Sequence, residues 1–189
     1  MTTRQLTPFE HILLGLICLS PSSGYDLKRT FAVTPMGVYQ PSSGTLYPAL
    51  RRLEQHGLIR AQATDGDGDG SARRRRVYEP TVAGRAAHED WLRTPVDPAT
   101  VATDLGLHLM RFVLMEQVVS PDEVLEFLRS FADAMAAFTA QLEKYAGASD
   151  GGADGGAGHA RLALEHGLAV HQASLRWARD TITALLTAP

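Results

Sequence analysis

PSSGTLYPALRRLEQHGLI, residues 41–59, reads as the approach, body and exit of one amphipathic helix. Leu46, Ala49, Leu50 and Leu53 fall on one stripe at helical spacing and must face a core, while Tyr47, Arg51, Arg52 and Gln55 fall on the opposite side. Gly57 is placed to close the helix in a left-handed conformation. Two starts are open. With Thr45 as the N-cap, Pro48 lies in the first turn and removes no hydrogen bond, and this start is preferred. A start at Ser42 or Ser43 instead puts Pro48 inside the helix with a local distortion. In both cases a face of hydroxyls and guanidiniums is left to meet a partner.

Two helices precede this one. Thr7-Pro8-Phe9-Glu10 supplies a capping residue, a proline at the first helical position and a glutamate at the third, and Phe9, Ile12, Leu13, Leu16 and Ile17 continue at helical spacing to about Leu19. Ser23 with Asp26 then caps a short helix carrying Tyr25, Leu27 and Phe31. Val33 to Pro41, with two prolines and a glycine, is a connector. On the far side, Leu58–Thr64 and Arg73–Glu79 read as the arms of a hairpin with a tip at residues 65–72, and a fourth helix follows from Thr81 to about Arg93. Three helices, the third polar outward, then a basic hairpin, is the order of a winged helix-turn-helix.

Charge is divided along the chain. Up to Arg93 there are 12 Lys and Arg against 9 Asp and Glu, net +3; from Thr94 onward there are 6 against 12, net −6. The basic front suits a polyanion. No apolar run is long enough to span a bilayer, Met1 to Glu10 has no signal-peptide character, and the single Cys18 forms no internal disulfide, so a soluble cytoplasmic protein is expected.

The DNA major groove is about 12 Å wide and admits a helix whose leading residues are hydrogen-bonding or forked basic side chains. Ser42, Ser43, Thr45, Tyr47, Arg51 and Arg52 meet that need, with Lys28 from the preceding helix. In the run Arg73, Arg74, Arg75 and Arg76 the side chains alternate direction along a strand, so about half face phosphate at once. Each feature alone is also compatible with a solvated surface, and winged helices also serve as protein-binding modules without specific DNA contact.

GYDLKRTF, SSGTLYPALRRLEQHGLI and RRRRVYEPTVAGRAAHEDWL closely resemble the three signature blocks of the PadR family of transcriptional regulators. The resemblance implies that Gly44 to Leu50 opens a recognition helix, that Arg73 to Tyr78 is the wing, and that Thr81 with Gly84 leads the linking helix. It extends into the C-terminal half, which resembles a virulence-activator-type helical dimerisation domain. The acidic tip DGDGDGSA departs from the family pattern and should repel phosphate. Asp65, Asp67, Asp69 and Gly70 also reproduce the first half of an EF-hand loop, but Arg76 stands where the bidentate glutamate belongs, which argues against calcium.

After the linker TPVDPAT, a helix is expected from Thr103 to about Val119. Ser120-Pro121-Asp122-Glu123 is a capping box opening a helix with a heptad seam of Val124, Leu128, Phe131, Met135, Phe138, Leu142 and Tyr145. A second seam, Leu164, Leu168, His171, Leu175, Ala178, Ile182 and Leu185, runs through a last helix from about His159 to Leu186. The pair suits an antiparallel coil, and apolar residues beside the seams, Trp177 among them, leave surface for a homodimer, with Val124, Leu128, Phe131, Met135, Phe138, Leu175 and Ile182 as the expected dimerisation residues. The expected fold is therefore mainly α with a small two-stranded β wing: a winged helix-turn-helix over 1–93 and a helical dimerisation domain over 94–189.

His159, His166 and His171 are spaced by seven and five, not the four that chelates a metal on a helix; His171 is expected to be hydrogen-bonded within the seam, with a pH-sensitive dimer as the remote reading. Phosphate-loop, dinucleotide, nucleophile-elbow and zinc-protease motifs are absent, so neither catalysis nor a cofactor is expected. The reading is a dimeric regulator, a repressor, that binds a palindromic operator. The family resemblance further implies release by a small aromatic or drug-like effector, with Trp91 and Trp177 as the candidates to stack on it.

Overall fold

The computed structural model describes residues 5–33, 41–64, 75–149 and 158–187. The chain forms two compact units: Met1–Thr94 with Leu109–Val119, and Pro95–His108 with Ser120–Pro189.

In the first unit, α1 (Pro8–Leu19) opens on a complete capping box. Thr7 donates its N–H to Glu10 Oε2 at 2.8 Å, and the Glu10 N–H reaches Thr7 Oγ1 at 3.3 Å. Ile12, Leu13, Leu14 and Ile17 are fully buried. A two-residue strand, β1 (Ser22–Ser23), leads into α2 (Gly24–Val33), where Ser23 and Asp26 exchange hydrogen bonds as a cap. α3 (Ser43–Gln55) starts earlier than the preferred reading from sequence. Ser42, not Thr45, is the N-cap, because its carbonyl accepts the N–H groups of both Thr45 and Leu46 at 3.0 Å. Pro48 therefore sits inside the helix, and the carbonyl its missing N–H would have engaged belongs to exposed Gly44, where solvent can take its place.

β2 (Ile59–Thr64) and β3 (Arg75–Pro80) pair antiparallel, with Ile59 opposite Pro80 and Arg60 opposite Glu79. β1 pairs with β3 through Ser22–Tyr78 and Ser23–Val77, so the sheet has three strands in the order β1-β3-β2 rather than the two expected. α4 (Val82–Arg93) is capped by Thr81, whose hydroxyl donates to Gly57 O at 2.6 Å and accepts from Gly84 N–H at 3.0 Å. A Cβ on Gly84 would stand 1.9 Å from Leu58 O, and Gly57 has φ +68°. Both glycines are thus required by backbone approach and conformation where the turn after α3 meets α4.

α5 (Leu105–Leu114) is shorter than expected. Its second half lies in the first unit although a linear division at 93/94 would put it in the second. Arg111 is buried and donates to Leu92 O at 2.6 Å and to Thr94 O, and Leu114 fills the space that a side chain on Gly15 would need.

In the second unit, α6 (Pro121–Ser149) begins with the Ser120–Glu123 capping box. α7 (His159–Thr187) runs antiparallel to it: Gln172 donates to Glu143 at 2.9 Å, His171 meets the Phe138 ring edge at 4.9 Å, and Trp177 meets Phe131 at 6.0 Å. Leu128, Phe131 and Met135 are fully buried within the single chain. On α7, among the described residues, Ala178 alone is buried. His171 Nδ1 has no hydrogen-bond partner among the described residues, and the ring meets Phe138 in a T-shaped contact.

Candidate nucleic-acid interface

α3 has two chemically different sides. Leu46, Ala49, Leu50 and Leu53 are all at 0% exposure, which locks the helix in rotation. Ser43, Gly44, Thr45, Tyr47, Arg51 and Gln55 are exposed, and Ser42 is exposed at the cap with its Oγ 3.0 Å from Thr45 Oγ1. Tyr47 packs its ring edge over Gly24, where a Cβ would come within 2.7 Å of Tyr47 Cε1, and still leaves 43% of the residue exposed. Lys28 lies beside the start of α3, its Nζ 3.5 Å from Ser43 Oγ.

The arginines divide sharply. Arg51 has no carboxylate partner among the described residues. Arg52, next in sequence, is turned to α1, where its Nε donates to Glu10 Oε1 at 2.5 Å. Burial raises the Glu10 carboxyl, but the Thr7 backbone hydrogen bond and the Arg52 contacts outweigh it and hold the group below the usual carboxylate range. Arg76 donates through Nη2 to both carboxylate oxygens of Glu54 at 2.9 and 3.1 Å. On the neighbouring strand Arg60 pairs with Glu79. Arg73, Arg74, the Arg75 side chain and the acidic tip with its calcium-like spacing lie outside the described residues.

Sequence reasoning missed part of this surface. Sequence pattern groups Tyr25 with the apolar residues of α2, but it is 68% exposed and shares a face with exposed Lys28 and Arg29 at positions i, i+3 and i+4. That spacing, on the side opposite Leu27 and Phe31, was the available signal.

Trp91 is stacked on His11 at 4.8 Å and 7°, with the Arg111 guanidinium over its ring at 5.7 Å. His88 completes this packed cluster at 2% exposure, and neither ring nitrogen has a partner among the described residues. Burial pushes both His11 and His88 down to about 4, with mutual repulsion adding for His11. Trp177 borders a shallow groove along α7 together with Ala173, Arg176, Asp180, Thr181 and Ala184. Among the designated seam residues, Val124, Phe138, Leu175 and Ile182 are half-buried. Large apolar groups left exposed in the same unit are Tyr145, Leu162, Val170, Leu185 and Leu186.

Burial pushes the Cys18 thiol up to about 11 against the opposing influence of Arg85, which removes its nucleophilic form near neutrality. Among the described residues no cluster of three or more His, Cys, Asp or Glu is arranged to hold a metal ion, and no helix is long and apolar enough to cross a membrane.

The transcriptional regulator PadR-like family model matches residues 13–90, and the virulence activator alpha C-term model matches residues 109–185. Transcriptional regulator Rv3488 of Mycobacterium tuberculosis is 53% identical over 49 residues, which is 26% of this chain and 42% of that relative. Similar solved structures include Bacillus subtilis PadR in complex with operator DNA (20% identity, 95% of this chain and 99% of that one, TM-score 0.45). The PadR-like regulator BC1756 of Bacillus cereus is 22% identical, with 98% and 99% covered and a TM-score of 0.42. The virulence activator AphA of Vibrio cholerae is 21% identical, with 93% and 96% covered and a TM-score of 0.38. Residues 13–90 thus form a PadR-like transcriptional regulator domain, and residues 109–185 a virulence activator alpha C-term domain.

Proposed function

We propose that this regulator is a homodimer that binds a palindromic operator in duplex DNA and acts as a repressor, released by a small aromatic or drug-like effector. α3 enters the major groove with Ser42, Ser43, Thr45, Tyr47 and Arg51 toward the bases and flanking phosphates. Lys28 and the basic run Arg73 to Arg75 hold the backbone. Arg52, tied to Glu10, sets the orientation of α3 instead of reading bases.

The observation that carries this reading is the two-sidedness of α3: four fully buried apolar residues fix its rotation and present outward a half-exposed tyrosine, three hydroxyls and an arginine with no carboxylate partner among the described residues. Solvent alone could satisfy such a face, but a groove lined by acceptors and phosphates matches its hydroxyls and cations together.

Dimerisation through the outer faces of the helical hairpin would place two α3 helices at a fixed spacing, as a two-fold operator requires. Fragments selected from genomic DNA with the full-length protein supply the site. In fluorescence anisotropy, Arg51→Ala should cost about 1–3 kcal/mol on the selected site and relax the preference at one position. Affinity that is absent for every fragment, or independent of salt, would transfer the surface to a protein partner.

A further inference from the structure

Position in a basic run suggests Arg76 as a phosphate ligand, but its geometry points to a different role. Nη2 lies 2.9 and 3.1 Å from the two oxygens of Glu54, and the guanidinium stands over the Tyr78 ring at 5.7 Å. Tyr78 is 6% exposed and sits on the central strand, opposite both Ser22 of β1 and Ala61 of β2. The cation is therefore gripped between a ring anchored in the sheet and a carboxylate in the last turn of α3.

Glu54 also matters by position. Tyr47, Arg51 and Glu54 follow at spacings of four and three, so the carboxylate ends the stripe that faces outward from α3. An unneutralised carboxylate there repels phosphate, and a half-exposed ion pair contributes little to folding stability. Between the two residues lies the turn at Gly57, with φ +68°, where the chain leaves α3 for β2. The pair bridges this pivot from the outside.

We propose that Glu54 and Arg76 are a positioning pair that sets the angle of the wing against α3, and that Arg76 acts on DNA through Glu54 and not as a phosphate ligand. The proposal rests on the DNA-binding reading above. A rigid angle matters because α3 in the groove and the wing on the backbone must engage one duplex at the same time, and a loose joint makes that simultaneous fit an ordering cost.

The test uses the full-length protein and a labelled duplex carrying its selected genomic fragment. Glu54→Gln and Arg76→Gln should each weaken binding roughly five- to tenfold, and the double variant should be no worse than either, as for residues acting in one unit. The slope of log affinity against log salt should stay unchanged in Glu54→Gln and change by much less than one phosphate contact in Arg76→Gln. The conservative variant Arg76→Lys, which keeps a cation beside Glu54 and over Tyr78, should retain most of the affinity, which a general loss of fold would not.

Three results overturn the proposal: tighter binding by Glu54→Gln, which would mean that Glu54 restrains a phosphate ligand; a slope reduced by about one in Arg76→Gln; or additive losses. Hydrogen exchange without DNA separates this from failure of the functional reading. Faster exchange of β3 amides in Glu54→Gln, in a protein that binds no duplex, keeps the clamp as a feature of the fold and removes its role in recognition. Unchanged exchange together with unchanged affinity removes both.

Discussion

The two units bury their apolar residues in different ways. In the winged unit every core-facing residue of α3 is at 0% exposure, and α1 contributes four more such side chains. In the helical unit α6 buries Leu128, Phe131 and Met135, but its partner α7, 29 residues long, buries Ala178 alone among those described and leaves Leu162, Val170, Leu185 and Leu186 at 38–58% exposure. A helix of that length cannot be held firmly by one buried alanine and half-covered neighbours. The winged unit closes on itself. The helical unit leaves apolar area uncovered, which a second copy of the chain would cover under the proposed function.

The largest expected effect tests the closed side of this contrast. Leu50→Ala should destabilise the winged unit by about 2–5 kcal/mol, read by chemical denaturation in a Trp177→Phe background where Trp91 reports that unit. A loss below about 1 kcal/mol would mean the α3 core is loosely packed.

Acid should act next. His88 has a folded value of about 4 against an ordinary 6.5, so the unfolded chain binds more protons between these limits. Its contribution is complete above pH 6.5 and declines as pH falls toward 4, by about 3 kcal/mol at most. Glu10, held below its ordinary value, acts in the same direction at still lower pH, since protonation weakens its tie to Arg52 and Thr7. His171 in the helical unit is pushed the same way, by burial. Melting followed through Trp91 should therefore shift down between pH 6.5 and 4, and His88→Gln should flatten that dependence.

Gly84→Ala comes third, at about 1–3 kcal/mol, because the new methyl must displace the Leu58 carbonyl and with it the turn at Gly57. Leu185→Ser should change the stability of the single chain by less than about 0.5 kcal/mol. The same variant, combined with Leu162→Ser, should shift light scattering from twice the chain mass toward the chain mass. A wild-type protein that scatters as a single chain at micromolar concentration would break the comparison, since α7 would then tolerate its uncovered face.

Periodic features are legible in the sequence alone. The Thr7 and Ser120 capping boxes, the α3 stripe and the inner part of the α6 and α7 seams follow from helix geometry over a few residues, whereas the seam ends Tyr145 and Leu185 are exposed. Less was legible in the wing. β1 is too short to show a period, and its pairing with β3 joins residues 56 apart at Ser22 and Tyr78. The start of α3 was misjudged because an N-cap hydroxyl and a tolerated internal proline look alike in sequence until the Ser42 carbonyl is seen accepting two hydrogen bonds.

Amino-acid order by itself determined which helices form, which face of each is apolar, and that one exposed face carries hydroxyls and cations, because these depend on contacts within a few residues. Only the tertiary structure decided which cations remain available. Arg51 and Arg52 are neighbours and indistinguishable by type, yet one faces outward and the other reaches Glu10 across 42 residues, while Arg76 meets Glu54 across 22. An ion pair depends on distance in space, and chain separation carries no record of it until the core has fixed the helices in rotation.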